Sequence, residues 1–148
     1  MTLWYFAHIL GYVLWVGGGL AAMFIGIRSR GEDRPAQAVV VRMMGGIHRT
    51  VMLPGIVLNL ASGVALSIPA ARAAAPTAWL MLMQGTGIVA GLLVMFVSLP
   101  TLARLEKVPP SGDTAPRFDA LRRRLAASGM IAGIFGALAL VGGILHKY

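Results

Sequence analysis

The sequence predicts an all-α integral membrane protein, a four-helix bundle with both termini outside. One observation is composition: 57% of the 148 residues are hydrophobic and only 12% are charged, where ~25% charged is usual for a soluble domain. A second is the presence of four long runs without Asp, Glu, Lys or Arg, interrupted only by short segments. The third is the distribution of the basic residues. Eleven lie in the two connections 28–49 and 104–124, and only Arg72 and Lys147 lie on the other side. By the positive-inside rule both basic loops face the cytoplasm. The expected location is a bacterial-type inner membrane.

The first run, Leu3 to Ile27, has 25 uncharged residues. At ~1.5 Å per residue it makes roughly 37 Å of helix, enough to cross a ~30 Å hydrocarbon core with some tilt. No basic residue precedes it, and it exceeds the ~7–15 apolar residues of a signal peptide, so it reads as a retained helix. The other runs are Thr50 to Ala71, Ala73 to Ala103 and Leu125 to His146. Pro76 and the AARAAAPTA segment mark a turn that narrows the third. One domain over residues 1–148 therefore holds helices at about 3–27, 48–70, 78–103 and 122–146.

Trp4, Tyr5, Trp79 and Tyr148 fall at the outer ends, where amphipathic rings prefer the interface. GEDRP and VPPSGDTAP read as turns in the inner loops. AQAVVVRMM and RFDALRRRL extend helices past the bilayer, with arginines snorkelling to headgroups. The net charge of +8 is explained by this topology and does not call for a nucleic acid. No cysteine occurs, which excludes disulfides, thiolate metal sites and cysteine nucleophiles. All five acidic residues, Glu32, Asp33, Glu106, Asp113 and Asp119, sit in the connections, so hydrolytic chemistry on paired carboxylates is not expected.

Polar groups at membrane depth are the candidates for function. His8 lies about 8 Å below the outer end of helix one, Met83 about 6 Å below that of helix three, and His146 at the boundary itself. His48 is some 20 Å or more away along the normal. His8, Tyr12, Trp15, Gly19 and Ala22 share one stripe of helix one. Ala132, Gly136, Ala139, Gly143 and His146 form a stripe of small side chains on helix four. Nineteen glycines are present, among them Gly17 to Gly19, Gly85, Gly87, Gly91, Gly129 and Gly133. They serve close helix packing or leave room for a flat cofactor. A histidine beside such a groove suits a porphyrin, with Met83 or His146 as second axial ligand. Met44, His48 and Met52, one turn apart, offer the donor set of Cu(I). Asn59, Ser62, Gln84 and Thr86 are expected to hydrogen-bond between helices.

The runs FAHILGYVLWVGG, RMMGGIHRTVMLPGIVLNLASG, WLMLMQ and RFDALRRRLAASGMIAGIFGALALVGGIL resemble the small membrane group of HemJ-type protoporphyrinogen oxidases and CopD-type copper-resistance proteins. The likeness rests on a first-helix histidine, a Pro-Gly turn followed by Ser-Gly in helix two, and a tryptophan opening helix three. It implies a four-helix bundle and, in the HemJ branch, haem b with His8 as ligand. Trp79 matches the tryptophan of the family's WLHxK pattern, but Met81 and Met83 stand in place of its His and Lys. The resemblance therefore implies fold and haem binding, and the basis for the oxidase activity is missing.

Three functions follow as expectations. The first is a haem b membrane redox protein, an oxidoreductase if an enzyme at all, working with a quinone or a membrane redox partner. The second is a copper-handling protein using Met44, His48 and Met52, or His146. The third is a cofactor-free structural subunit in which glycine stripes serve packing and oligomerisation, a homodimer included.

Overall fold

A computed structural model describes residues 2–73 and 77–145, the backbone alone for 69–73. Helix α1 runs over Thr2–Arg28, α2 over Arg34–Ile47, α3 over Leu53–Ala73, α4 over Ala78–Leu93, α5 over Leu99–Leu105 and α6 over Ala115–Leu145. A wider π turn, His48–Met52, joins α2 to α3, and another, Val94–Ser98, joins α4 to α5. These make four helical spans long and apolar enough to cross a membrane. The all-α four-helix membrane bundle is thus the observed fold. The turn expected around Pro76 lies outside the described residues.

The two π turns have a common cause. Each precedes a Leu-Pro pair, Leu53-Pro54 and Leu99-Pro100. Proline has no N–H, and its ring crowds the carbonyl one turn back. The helix responds by widening: the Leu53 N–H bonds the His48 carbonyl, and the Leu99 N–H bonds that of Val94, each five residues earlier. Pro54-Gly55, expected as a turn, lies inside a continuous helix.

The second span begins at Arg34 rather than near His48, and the fourth at Ala115 rather than near Arg122. GEDRP is a helix start: Asp33 caps α2 by accepting the Ala36 N–H at 2.8 Å, and Pro35 occupies the first turn. Thr77 caps α4 in the same way through the Leu80 N–H at 3.2 Å. Before α6 the chain turns at Gly112, whose φ of +66° suits only a residue without Cβ.

Going round the bundle, each span packs against the next. The tightest pairings are α1 with α3 and α4 with α6, each antiparallel, while α1–α6 and α3–α4 touch more lightly. Two cores result. In the middle, Trp15, Met52, Ile56, Ala90, Val94 and Ala132 come from all four spans. At the end carrying the basic connections, Val41, Leu102, Leu105, Phe118 and Leu125 form a second core from α2, α5 and α6.

The basic end is tied by polar contacts that snorkelling does not describe. Arg34 makes a two-pronged pair with Asp119 at 2.7 and 3.1 Å, and Arg49 another with Glu106 at 2.9 and 2.8 Å. Arg122 donates to Gln37 Oε1 and, at 3.4 Å, to Ser29 Oγ, with its guanidinium 5.9 Å over the Phe118 ring. Deeper in, Ser98 and Ser128 share a buried hydrogen bond of 2.9 Å.

Candidate functional site

Towards the end of the bundle opposite the basic connections, α1 and α3 cross with their backbones in contact. A Cβ on Gly11 would lie 2.6 Å from the Asn59 nitrogen and 2.8 Å from the Gly55 carbonyl oxygen. One on Gly55 would lie 2.8 Å from the Trp15 nitrogen. This crossing sets His8, one turn beyond Gly11, against the next two turns of α3.

His8 Nδ1 lies 2.9 Å from the Asn59 carbonyl oxygen and 3.3 Å from Ser62 Oγ. In return, Asn59 Nδ2 donates to the His8 carbonyl at 2.9 Å. A carbonyl only accepts, so the neutral ring that suits this contact carries its proton on Nδ1. Nε2 is then the lone-pair nitrogen, and it makes no hydrogen bond among the described residues. Ser62 is itself held by the carbonyls of Leu58 and Asn59. Gly63 supplies the space for the ring, since a Cβ there would approach His8 Cε1 to 3.2 Å. Asn59 and Ser62 are buried, and His8 is half-buried.

The remaining candidates lie around this seam. Tyr12 hands its hydroxyl to the Gly136 carbonyl at 3.2 Å, fastening α1 to α6. Trp15 is buried in the central core. Gln84 donates to Ser67 Oγ at 2.6 Å and fastens α4 to α3. Thr86 bonds the Leu82 carbonyl of its own helix. Met83 belongs to another seam: a Cβ on Gly142 would lie 2.9 Å from its backbone nitrogen, and one on Gly143 would lie 3.0 Å from its sulfur. The contacts of His8 are with α3, and those of Met83 are with α6. His146 lies outside the described residues.

The Met44, His48 and Met52 set is likewise embedded in packing. His48 is buried, with Nδ1 2.8 Å from the Met44 carbonyl. The Met44 methyl reaches the notch at Gly26, and Met52 fills those at Gly18 and Gly19. The two thioethers therefore abut different levels of α1. Among the described residues, no group of three His, Cys, Asp or Glu is placed to hold a metal ion.

Of the glycines singled out in the sequence, Gly18 and Gly91 meet side chains closely, whereas Gly17, Gly85, Gly129 and Gly133 have nothing within 4 Å of a Cβ position. The closest crossings involve Gly11, Gly55 and Gly142, none of which the sequence marks as a point of close approach. The partners of His8 were also missed as partners, although Asn59 and Ser62 stood out as intramembrane polar groups. A four-residue step separates Gly11 from Trp15 on one helix and Gly55 from Asn59 on the other, the only local signal of this seam.

Residues 2–145 match the family described as "Predicted integral membrane protein (DUF2269)". No curated protein and no solved structure matches the chain. The family match carries the expectation of a multi-pass membrane protein and does not itself tie the chain to the HemJ or CopD groups.

Proposed function

The chain belongs to the DUF2269 family of predicted integral membrane proteins, and we propose that it acts there as a structural membrane subunit, its intramembrane polar residues serving as locks between helices. The observation that carries this reading is the reciprocal pair of hydrogen bonds between His8 and Asn59. In lipid there is no hydrophobic drive to bring helices together, so close backbone approach and interhelical hydrogen bonds supply the association. The Gly11–Gly55 crossing provides the first, and His8, Asn59, Ser62, Tyr12 and Gln84 provide the second. In this reading the basic end faces the cytoplasm, both termini face outward, and the assembly is a homodimer or a complex with a larger partner. Gentle purification followed by mass measurement of the detergent-solubilised particle tests it. A defined oligomer or a co-purifying partner is expected, and a monomer carrying a stoichiometric redox cofactor would replace the reading.

A second reading keeps His8 as an axial ligand of haem b, with a quinone or membrane redox protein as electron partner. Its support is the Nδ1 contact with a backbone carbonyl, which orients the ring as metal-bound histidines are oriented and leaves Nε2 to ligate. Against it, the seam beside His8 is closed by backbone at Gly11 and Gly55, and Met83 is seated on α6. Absorption spectra of oxidised and dithionite-reduced protein test this reading: a Soret band lost in His8→Ala supports it, and one unchanged in that variant excludes His8. Copper content after purification tests the Met44, His48 and Met52 alternative.

A further inference from the structure

Where the apolar part of α1 ends, a groove of about 410 Å³ opens against the start of α2. Its walls include Phe24, Ile25, Val39 and Val40, and its charged lining is Arg28 and Glu32. Phe24 and Val39 are exposed, so the groove faces outward, and it lies where the uncharged run Leu3 to Ile27 gives way to the first basic connection.

Arg28 and Glu32 are four residues apart, the spacing that pairs opposite charges on a helix. Here the helix stops between them. Residues Ser29–Gly31 form a 3₁₀ turn, and Glu32 is extended, with φ −83° and ψ 161°. Both side chains are exposed, and neither joins an ion pair among the described residues. The rim is held from behind. Gln37 Nε2 donates to the Glu32 carbonyl at 2.9 Å, Ser29 Oγ donates to the Gly26 carbonyl at 3.0 Å, and Arg122 reaches Ser29 Oγ at 3.4 Å.

We infer that this groove binds an ethanolamine phospholipid, one acyl chain lying along the apolar walls, the phosphate on Arg28 and the headgroup ammonium on Glu32. A cation and a carboxylate kept apart at the mouth of an apolar groove match a headgroup that carries both charges. A glycerol headgroup carries the same phosphate charge but offers Glu32 only neutral hydroxyls in place of a cation. A choline headgroup has no N–H to donate to the carboxylate. The inference does not rest on the role of His8.

The test is native mass spectrometry of the delipidated full chain in detergent, titrated with ethanolamine, glycerol and choline phospholipids of identical acyl chains. The ethanolamine lipid is expected to be retained about fivefold better than the choline lipid, the order of one charge-assisted hydrogen bond at an exposed site. Arg28→Gln lowers retention of all three, while Glu32→Gln leaves binding but equalises ethanolamine and choline lipids. Both variants alter exposed side chains that join no ion pair among the described residues, and an unchanged melting temperature checks that they fold. Ethanolamine lipid held no better than choline lipid, preferential retention of the glycerol lipid, or indifference to either substitution overturns the inference.

Discussion

Gly11 and Gly55 meet backbone to backbone where α1 crosses α3: a Cβ on either would come within 2.9 Å of the other's carbonyl oxygen. Neither contact can be relieved by turning a side chain, because the obstructing atoms belong to the main chain. Gly11→Ala and Gly55→Ala are each expected to lower stability by about 1–3 kcal/mol, the usual cost of overpacking a close interface. Gly129→Ala and Gly133→Ala, with open space at the new methyl, are expected to stay within about 0.5 kcal/mol of the parent. Reversible unfolding in mixed detergent micelles measures all four.

What was legible in the sequence is the number of spans, because an uncharged run of adequate length has few other uses. Faces were legible approximately. The stripe through His8, Tyr12, Trp15, Gly19 and Ala22 shares Trp15 and Ala22 with the buried face, whose other members are Gly11 and Gly18. That face leaves His8 and Tyr12 half-buried at its flanks, where their polar atoms reach the neighbouring helices. The Asp33 cap followed by Pro35 is a helix-start pattern, yet its place in the charged, turn-forming run GEDRP made it read as a loop. The partner of His8 could not be read at all, since Asn59 lies 51 residues away and only the tertiary crossing joins them.

Arg122 and Arg34 separate two uses of a basic residue. Arg122 satisfies Gln37, which is buried, and covers Phe118, whereas Arg34 pairs with Asp119 at the exposed surface. Arg122→Ala is expected to cost on the order of 1–2 kcal/mol, since it leaves the buried Gln37 amide oxygen without its donor. Arg34→Ala is expected to have a smaller effect that fades further with added salt. Unfolding at low and high ionic strength distinguishes them.

Met52 separates packing from metal binding. Its side chain fills the notch at Gly18 and is buried in the central core. Met52→Leu conserves volume and is expected to keep stability within about 1.5 kcal/mol, while Met52→Ala is expected to cost about 2–5 kcal/mol by leaving a cavity. If Met52→Leu instead removed bound copper from protein that holds it, the thioether would be a ligand and the packing account of this residue would fail.

Ser98 and Ser128 form a buried pair between the third and fourth spans. Ser98→Ala and Ser128→Ala are each expected to destabilise by about 0.5–1.5 kcal/mol. The double variant should cost less than their sum, because each single change already loses the one hydrogen bond the two serines share, and the same unfolding assay reads the difference.

The most direct test of the structural account is a double-mutant cycle on His8→Ala and Asn59→Ala, read as unfolding free energy in detergent or bicelles. An interhelical lock predicts destabilisation in each single variant and a coupling of about 0.6–1.7 kcal/mol, the range for hydrogen bonds within membranes. Additive effects with no coupling, or a His8→Ala variant as stable as the parent, would contradict it.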